Sequence, residues 1–280
     1  MSSNEVIPEL IFISKILVSI FAVLGLSYVA ENVSPKVAGL LSGFPLGSAI
    51  ALFYIGLEMD IEFAAQSATF TLAGFSASLV LAYCYYHASR WLEKGDKYTR
   101  WQICSMSALM SISGFLIVAY VLNLSRLSLT ASFMITLASI CLFAFLFRHI
   151  DDTRVDTKVA LTFRVSLLRA LAAASIVLLI TGIAKTVGTG WAGVLSSFPI
   201  TLFPFLIIIH LSYGAASVHS VIKHYPYGLG ALMIYTLSVS FVYPVLGLWL
   251  GTLLSFLFAT VYLLLLLMLQ LAGNCFRKLG

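Results

Sequence analysis

Charge is what this sequence has least of. Asp, Glu, Lys and Arg make up 10% of the 280 residues, against 61% hydrophobic residues and a mean hydropathy of +1.03. That leaves too little polar surface to cover a water-soluble core of this size, which excludes an ordinary soluble domain. Cysteine is sparse as well. Cys84, Cys104, Cys141 and Cys275 stand alone, with no CxxC and no Cys/His spacing, so neither a disulfide framework nor a metal centre is expected. The HExxH, GxSxG and P-loop patterns are missing, no helix face gathers His with Asp, and no extramembrane domain offers a seat for a soluble cofactor. The chain is therefore not expected to be an enzyme or to carry a cofactor. A pI near 9.0 does not point to nucleic acid, because the basic residues fall between apolar runs, where membrane topology accounts for them. The opening MSSNEVIPE has no basic residue ahead of Lys15, so it lacks the positive region of a cleavable signal and the first apolar run is read as retained.

What the sequence does have is apolar length. Stretches of about twenty residues recur from end to end, and a helix of that length spans the roughly 30 Å hydrocarbon layer. The ten-residue alternation of a barrel is not seen, so the fold class is all-α and integral to the membrane. Spans are expected near 8–30, 37–58, 67–87, 101–122, 128–148, 164–185, 190–212, 226–245 and 247–272, about nine transmembrane helices. Of the sixteen Lys and Arg, twelve fall on one side of this arrangement, from Lys36 through Arg148 to Lys278. The positive-inside rule then places the N-terminus outside and the C-terminus in the cytoplasm.

The segments AGLLSGFP (38–45) and AGVLSSFP (192–199) lie 154 residues apart, and the same offset pairs Lys15 with Arg169, Ala30 with Ala184, Leu57 with Leu211 and Gly74 with Gly228. An ancient duplication accounts for this. Five expected spans precede the second copy, so it enters the bilayer in the opposite sense, as in the inverted-topology repeats of secondary transporters. The expected architecture is 4 + 1 + 4: a first repeat core over 8–87, further helices including a linking helix over 88–148, a cytoplasmic linker over 149–163 and a second, inverted repeat over 164–272.

The duplicated segments, with Leu57-Glu58 and Phe63-Ala64-Ala65 after the first, cover about a quarter of the chain and resemble the GlpM-like bacterial membrane proteins and their two-copy relatives. In that group a similar AG-x-x-[SA]-x-[FL]-P segment recurs in the second helix. The resemblance implies a bacterial cytoplasmic (inner) membrane setting and little about activity. Ser212 stands where the first copy has Glu58, which argues against a symmetric role for that acid.

Pro45 and Pro199 each remove a backbone donor inside an apolar run, freeing the carbonyl of Leu41 or Leu195. An unpaired carbonyl in hydrocarbon is costly, and Ser42 and Ser196, one turn earlier, are the expected donors. A plain packing kink is one reading. The other is a pair of half-helices whose positive N-terminal ends point inward at an anionic group. Lys15 and Arg169 lie deep in their spans, where a charge is usually turned inward and paired unless its stem snorkels to the interface. Glu31 and Lys185 read as interfacial end charges, the Glu58-Asp60-Glu62 cluster as a solvated outer loop or a proton gate, and His210 as structural or titrating.

These features favour a secondary transporter or permease for an anionic small solute or an anionic lipid-linked group. Lys15, Arg169, Ser42, Pro45, Ser196 and Pro199 would line the path, with Glu31, Glu58 and His210 in gating or proton coupling. The alternatives are a membrane enzyme acting on a lipid head group through the outer carboxylates, and a non-transporting scaffold for envelope lipid or polysaccharide assembly. Membrane lipids and an anionic small molecule are the expected partners, with no nucleic acid and with a homodimer compatible with the pattern.

Overall fold

A computed structural model describes residues 3–31, 43–95, 97–125, 127–151 and 163–279; the side chains of 3–8, 26–31, 163–166, 168–169 and 269–279 also lie outside the description. Every element among the described residues is an α-helix: α1 Ser3–Glu31, α2 Leu46–Glu58, α3 Ile61–Glu93, α4 Arg100–Leu124, α5 Leu129–Phe147, α6 Phe163–Ser196, α7 Leu202–Tyr213 and α8 Ala215–Leu279. Ile61–Glu93, Arg100–Leu124, Leu129–Phe147, Ala170–Ser196 and Ala215–Met268 are long and apolar enough to cross a membrane, and α2 and α7 are shorter apolar helices.

Local chemistry sets the helix starts. The Asp60 carboxylate accepts the Phe63 N–H at 2.6 Å to open α3. Thr99 and Gln102 form a reciprocal capping box at the start of α4, and Ser128 caps α5. Glycines mark the interruptions. Gly188 (φ 76°, ψ 174°) breaks α6, Gly247 (φ 76°, ψ 180°) breaks α8, and Gly214 (φ 88°, ψ 175°) separates α7 from α8. That region of backbone space is open in practice only to glycine.

The central helix is α3, which packs against α2, α4, α5, α6 and α8. Its most apolar stretch is 72% buried, whereas that of α5 is only 17% buried, so α5 turns most of its apolar surface outward to lipid. Small residues let the neighbours of α3 come close: the carbonyl of Ser67 lies against Gly193 of α6, and Cys84 lies against Gly114 of α4. The direction of one packing pair is readable from its contacts. Ala64, Ala65 and Ala68 near the start of α3 share a cluster with Tyr235, Val239 and Tyr243 of α8, whereas Ser89 near the end of α3 meets His219 at 2.8 Å, so the two helices run antiparallel.

Helix boundaries also recur 154 positions apart. Ile61 and Ala215 open α3 and α8, and Glu93 ends α3 where Gly247 interrupts α8.

Several expected boundaries move. The stretch 190–212 is not one helix: α6 continues through Ser196, and α7 starts only at Leu202, because Pro199 supplies no N–H at the crossing point. The run expected at 226–245 begins at Ala215, while the division after it falls at Gly247, where the expected spans part. Most of the linker expected at 149–163 lies outside the described residues.

Candidate functional site

From Phe44 and from Phe198 onward, the two proline segments fold alike. Around the first proline, Leu46 N–H donates to the Phe44 carbonyl at 2.8 Å and Ala49 N–H to the Pro45 carbonyl at 2.9 Å. Around the second, Ile200 N–H donates to the Phe198 carbonyl at 2.7 Å and Phe203 N–H to the Pro199 carbonyl at 2.8 Å. Each proline thus closes a tight three-residue turn and then accepts the first hydrogen bond of a short helix, α2 or α7.

The two turns meet. Phe44, Gly47 and Ser48 from one, and Ser197 to Thr201 from the other, enclose a cavity of about 10 Å³ completed by Tyr225 and Leu232 of α8. That volume holds about one water, so the conformation is closed around its centre. The N-terminal turns of both short helices border the same space, which gives it a positive potential. Ser48 donates across it to the Ser196 carbonyl at 2.8 Å, and Ser78 of α3 donates to the Ser197 carbonyl at 2.5 Å.

The carbonyls freed at the second break are satisfied differently from the expectation. The Leu195 carbonyl takes the Phe198 N–H at 3.0 Å, while the Ser196 hydroxyl turns back to the Ala192 carbonyl at 2.7 Å. A turn in the chain reaches that carbonyl with a backbone donor already in place, so no side chain is needed. Ser42 lies outside the described residues.

Lys15 is 4% exposed and is held by two partners. Its Nζ lies 2.7 Å from Glu58 Oε1 and donates to Thr181 Oγ1 at 2.8 Å, with the Tyr54 ring centroid 5.7 Å away. The pair joins α1 to the last residue of α2, and Thr181 ties both to α6. Tyr54 sits one turn before Glu58 on α2, and its hydroxyl bonds to Ser14 at 3.1 Å. Glu58 is therefore not a member of a solvated loop. The reason is Lys15, whose buried ammonium needs a carboxylate and draws this one inward from the outer cluster. Asp60 and Glu62 remain exposed, one capping α3 and the other bonded to Gln66 at 3.3 Å. Glu31 and Arg169 fall within α1 and α6, but their side chains lie outside the described residues.

His210 is buried at the end of α7, with Nδ1 3.0 Å from the Tyr85 hydroxyl, which in turn lies 3.4 Å from Cys104 Sγ. Its Nε2 has no hydrogen-bond partner among the described residues. Reading the sequence missed Thr181, Tyr54, Tyr85, Ser89 and His219. Tyr54 alone left a signal, its helical spacing of four from Glu58. The others reach their partners from helices far apart in the chain.

Fold and site together define the class: an all-helical protein with several helices of membrane-crossing length and two proline-broken segments converging on one small cavity beside a buried ion pair. No family model, curated protein or solved structure matches the chain.

Proposed function

We propose that this chain is a secondary transporter of the bacterial inner membrane that moves an anionic small solute or lipid-linked anionic group by alternating access. The reading rests on one observation above all: two similar turns, 154 residues apart, bring two half-helix N-termini to a shared cavity. Two ancestral bundles inserted in opposite senses, 4 + 1 + 4 in about nine spans, account for this. The antiparallel crossing of α3 and α8, counterparts under the same offset, is what such an inversion requires. In the closed conformation the half-helices α2 and α7 meet, and rocking of one bundle against the other opens the cavity to each side in turn. Positive helix ends, with Arg169 as the proposed further cation, suit an anion there.

Two other readings have less support. An enzyme on a lipid head group needs convergent carboxylates, whereas Glu58, Asp60 and Glu62 are each engaged by a different group. A scaffold gives no reason for the broken backbone and the buried ion pair to be gathered in one bundle.

Single cysteines at Ser48 and Thr201, with the four native cysteines replaced by serine, test the proposal in right-side-out and inverted vesicles. Alternating access requires an impermeant thiol reagent to reach both positions from either face. Labelling from one face only supports an interfacial enzyme, and labelling from neither supports a scaffold.

A further inference from the structure

We infer that the turn joining α3 to α4 is a binding site for one anionic phospholipid, with its phosphate at Lys94 and Lys97 and an acyl chain along α3 below Trp91. The site lies apart from the cavity between the proline turns, and the inference does not rest on the transport reading.

Both α3 and α4 are long and apolar enough to cross a membrane, so the turn between them lies at a membrane surface. Trp91 at the end of α3 and Trp101 at the start of α4 are 69% and 70% exposed, and Tyr98 stands between them in the turn. Amphipathic rings of this kind settle at the level of the lipid head groups, which fixes the depth of the turn.

Three hollows run together across this end of the hairpin. The first, about 300 Å³, is walled by Tyr83, Cys84, Ala88 and Trp91 of α3 and by Met110 of α4, and only His87 brings it a charged or polar ring. It extends along α3 from Cys84 to Trp91, or about 10 Å, against about 15 Å of hydrocarbon in one leaflet. That is room for the upper part of an acyl chain. At its deep end the two helices touch, Cys84 against Gly114. The second hollow, about 340 Å³, shares Trp91 with the first and is lined by Lys94, Gly95, Lys97 and Tyr98. The third, about 280 Å³, shares Tyr98 with the second and continues down α4 past Trp101 to Met106. A head group in the middle hollow thus has a mainly apolar channel leading from it along each helix, which suits a lipid with two chains.

Charge decides which lipid. Residues 90 to 100 hold four cations, Arg90, Lys94, Lys97 and Arg100, against two acids, Glu93 and Asp96. Arg90 lies in the last turn of α3, where it offsets the negative helix end and bonds to Tyr86, and Arg100 bonds to the Leu211 carbonyl. That leaves Lys94 and Lys97 at the middle hollow, both exposed and neither in an ion pair among the described residues, outside which Asp96 lies. Two ammonium groups at head-group depth attract a phosphate whose charge no choline or ethanolamine balances. The counterpart stretch in the second copy, GLWLGTLL (247–254), keeps a tryptophan, Trp249, but has no charge.

The test uses the full chain in mixed vesicles of phosphatidylglycerol and phosphatidylcholine, with Trp101, Trp191 and Trp249 replaced by phenylalanine so that Trp91 is the only tryptophan. Bromination of one lipid or the other makes it a contact quencher. Trp91 should be quenched with a preference of roughly fivefold for phosphatidylglycerol, falling below about twofold in Lys94→Gln/Lys97→Gln. A chain with Trp249 alone should show no preference. Equal quenching by both lipids at Trp91 means ordinary lipid contact, quenching by neither means that protein covers the groove, and an equal preference at Trp249 means a diffuse surface effect. Each of these overturns the inference, as does a preference that survives the double lysine variant. The chain with all four tryptophans gives the same comparison in native mass spectra, where it should retain more phosphatidylglycerol after detergent release than its Lys94→Gln/Lys97→Gln form. Equal retention overturns the inference even where the tryptophan variants do not fold.

Discussion

Gly43 and Gly228 touch through their backbones, so closely that a β-carbon on Gly43 would collide with the Gly228 carbonyl. Gly74 stands in the same relation to Ser197, whose hydroxyl occupies the space a β-carbon there would take. A shift of 154 positions exchanges the two contacts, because Gly43 corresponds to Ser197 and Gly74 to Gly228. Reciprocal contacts of this kind are what the proposed two-fold relation between halves would require.

The two glycines differ in what surrounds them, and their alanine variants should differ accordingly. Gly43→Ala drives a methyl group into backbone that cannot move aside, with an expected cost of about 1–3 kcal/mol. Gly74→Ala meets the Ser197 hydroxyl and Cβ, a side chain that can adjust in part. Thermal unfolding in detergent should rank Gly43→Ala as the less stable of the two. The reverse order would mean that the backbones are not in contact.

The ion pair makes a cycle of variants informative. Lys15→Met or Glu58→Leu alone strands a buried charge, and each is expected to cost on the order of 3–5 kcal/mol. The double variant removes both charges and should lose less than the sum, by at least about 1 kcal/mol. Additive losses would show that the two side chains do not interact in the membrane.

Hydroxyls that satisfy the broken segment should matter more than hydroxyls elsewhere. Ser48→Ala and Ser78→Ala each leave a carbonyl of the second break one donor short, at an expected cost of about 1–3 kcal/mol. Ser113→Ala removes an exposed hydroxyl that bonds back to its own helix at Leu109, and should stay within about 0.5 kcal/mol of wild type. Equal melting temperatures for all three would remove the structural role of the cavity hydroxyls.

Gly214→Ala tests the junction between α7 and α8. At φ 88° and ψ 175° an alanine is strained by about 1–3 kcal/mol although no atom blocks its methyl group. Gly182→Ala, in helical backbone with equally open space, should instead gain up to about 1 kcal/mol. Opposite shifts in melting temperature are therefore expected from the same substitution at two open sites.

Much was legible in the sequence. Scarce charge and long apolar runs dictated helices of membrane-crossing length, since backbone groups in hydrocarbon must bond within their own segment. The recurrence of Ser-x-Phe-Pro marked where the two short helices α2 and α7 begin, because proline supplies no N–H wherever it stands. The depth of Lys15 in its span announced a charge in need of a partner.

Tertiary structure alone decided which groups meet. Glu58 appeared with Asp60 and Glu62 as one outer cluster, and only the packing of α2 against α1 separates it and turns it to Lys15. The proline turns could have been two independent kinks. That Ser48 reaches the Ser196 carbonyl follows from how the two turns pack together beside Tyr225 and Leu232 of α8. Composition and local backbone chemistry act on neighbours in the chain, so they could be read residue by residue. Contacts between residues far apart in the chain depend on helix crossings set by the whole set of side chains at once, and no single stretch encodes them.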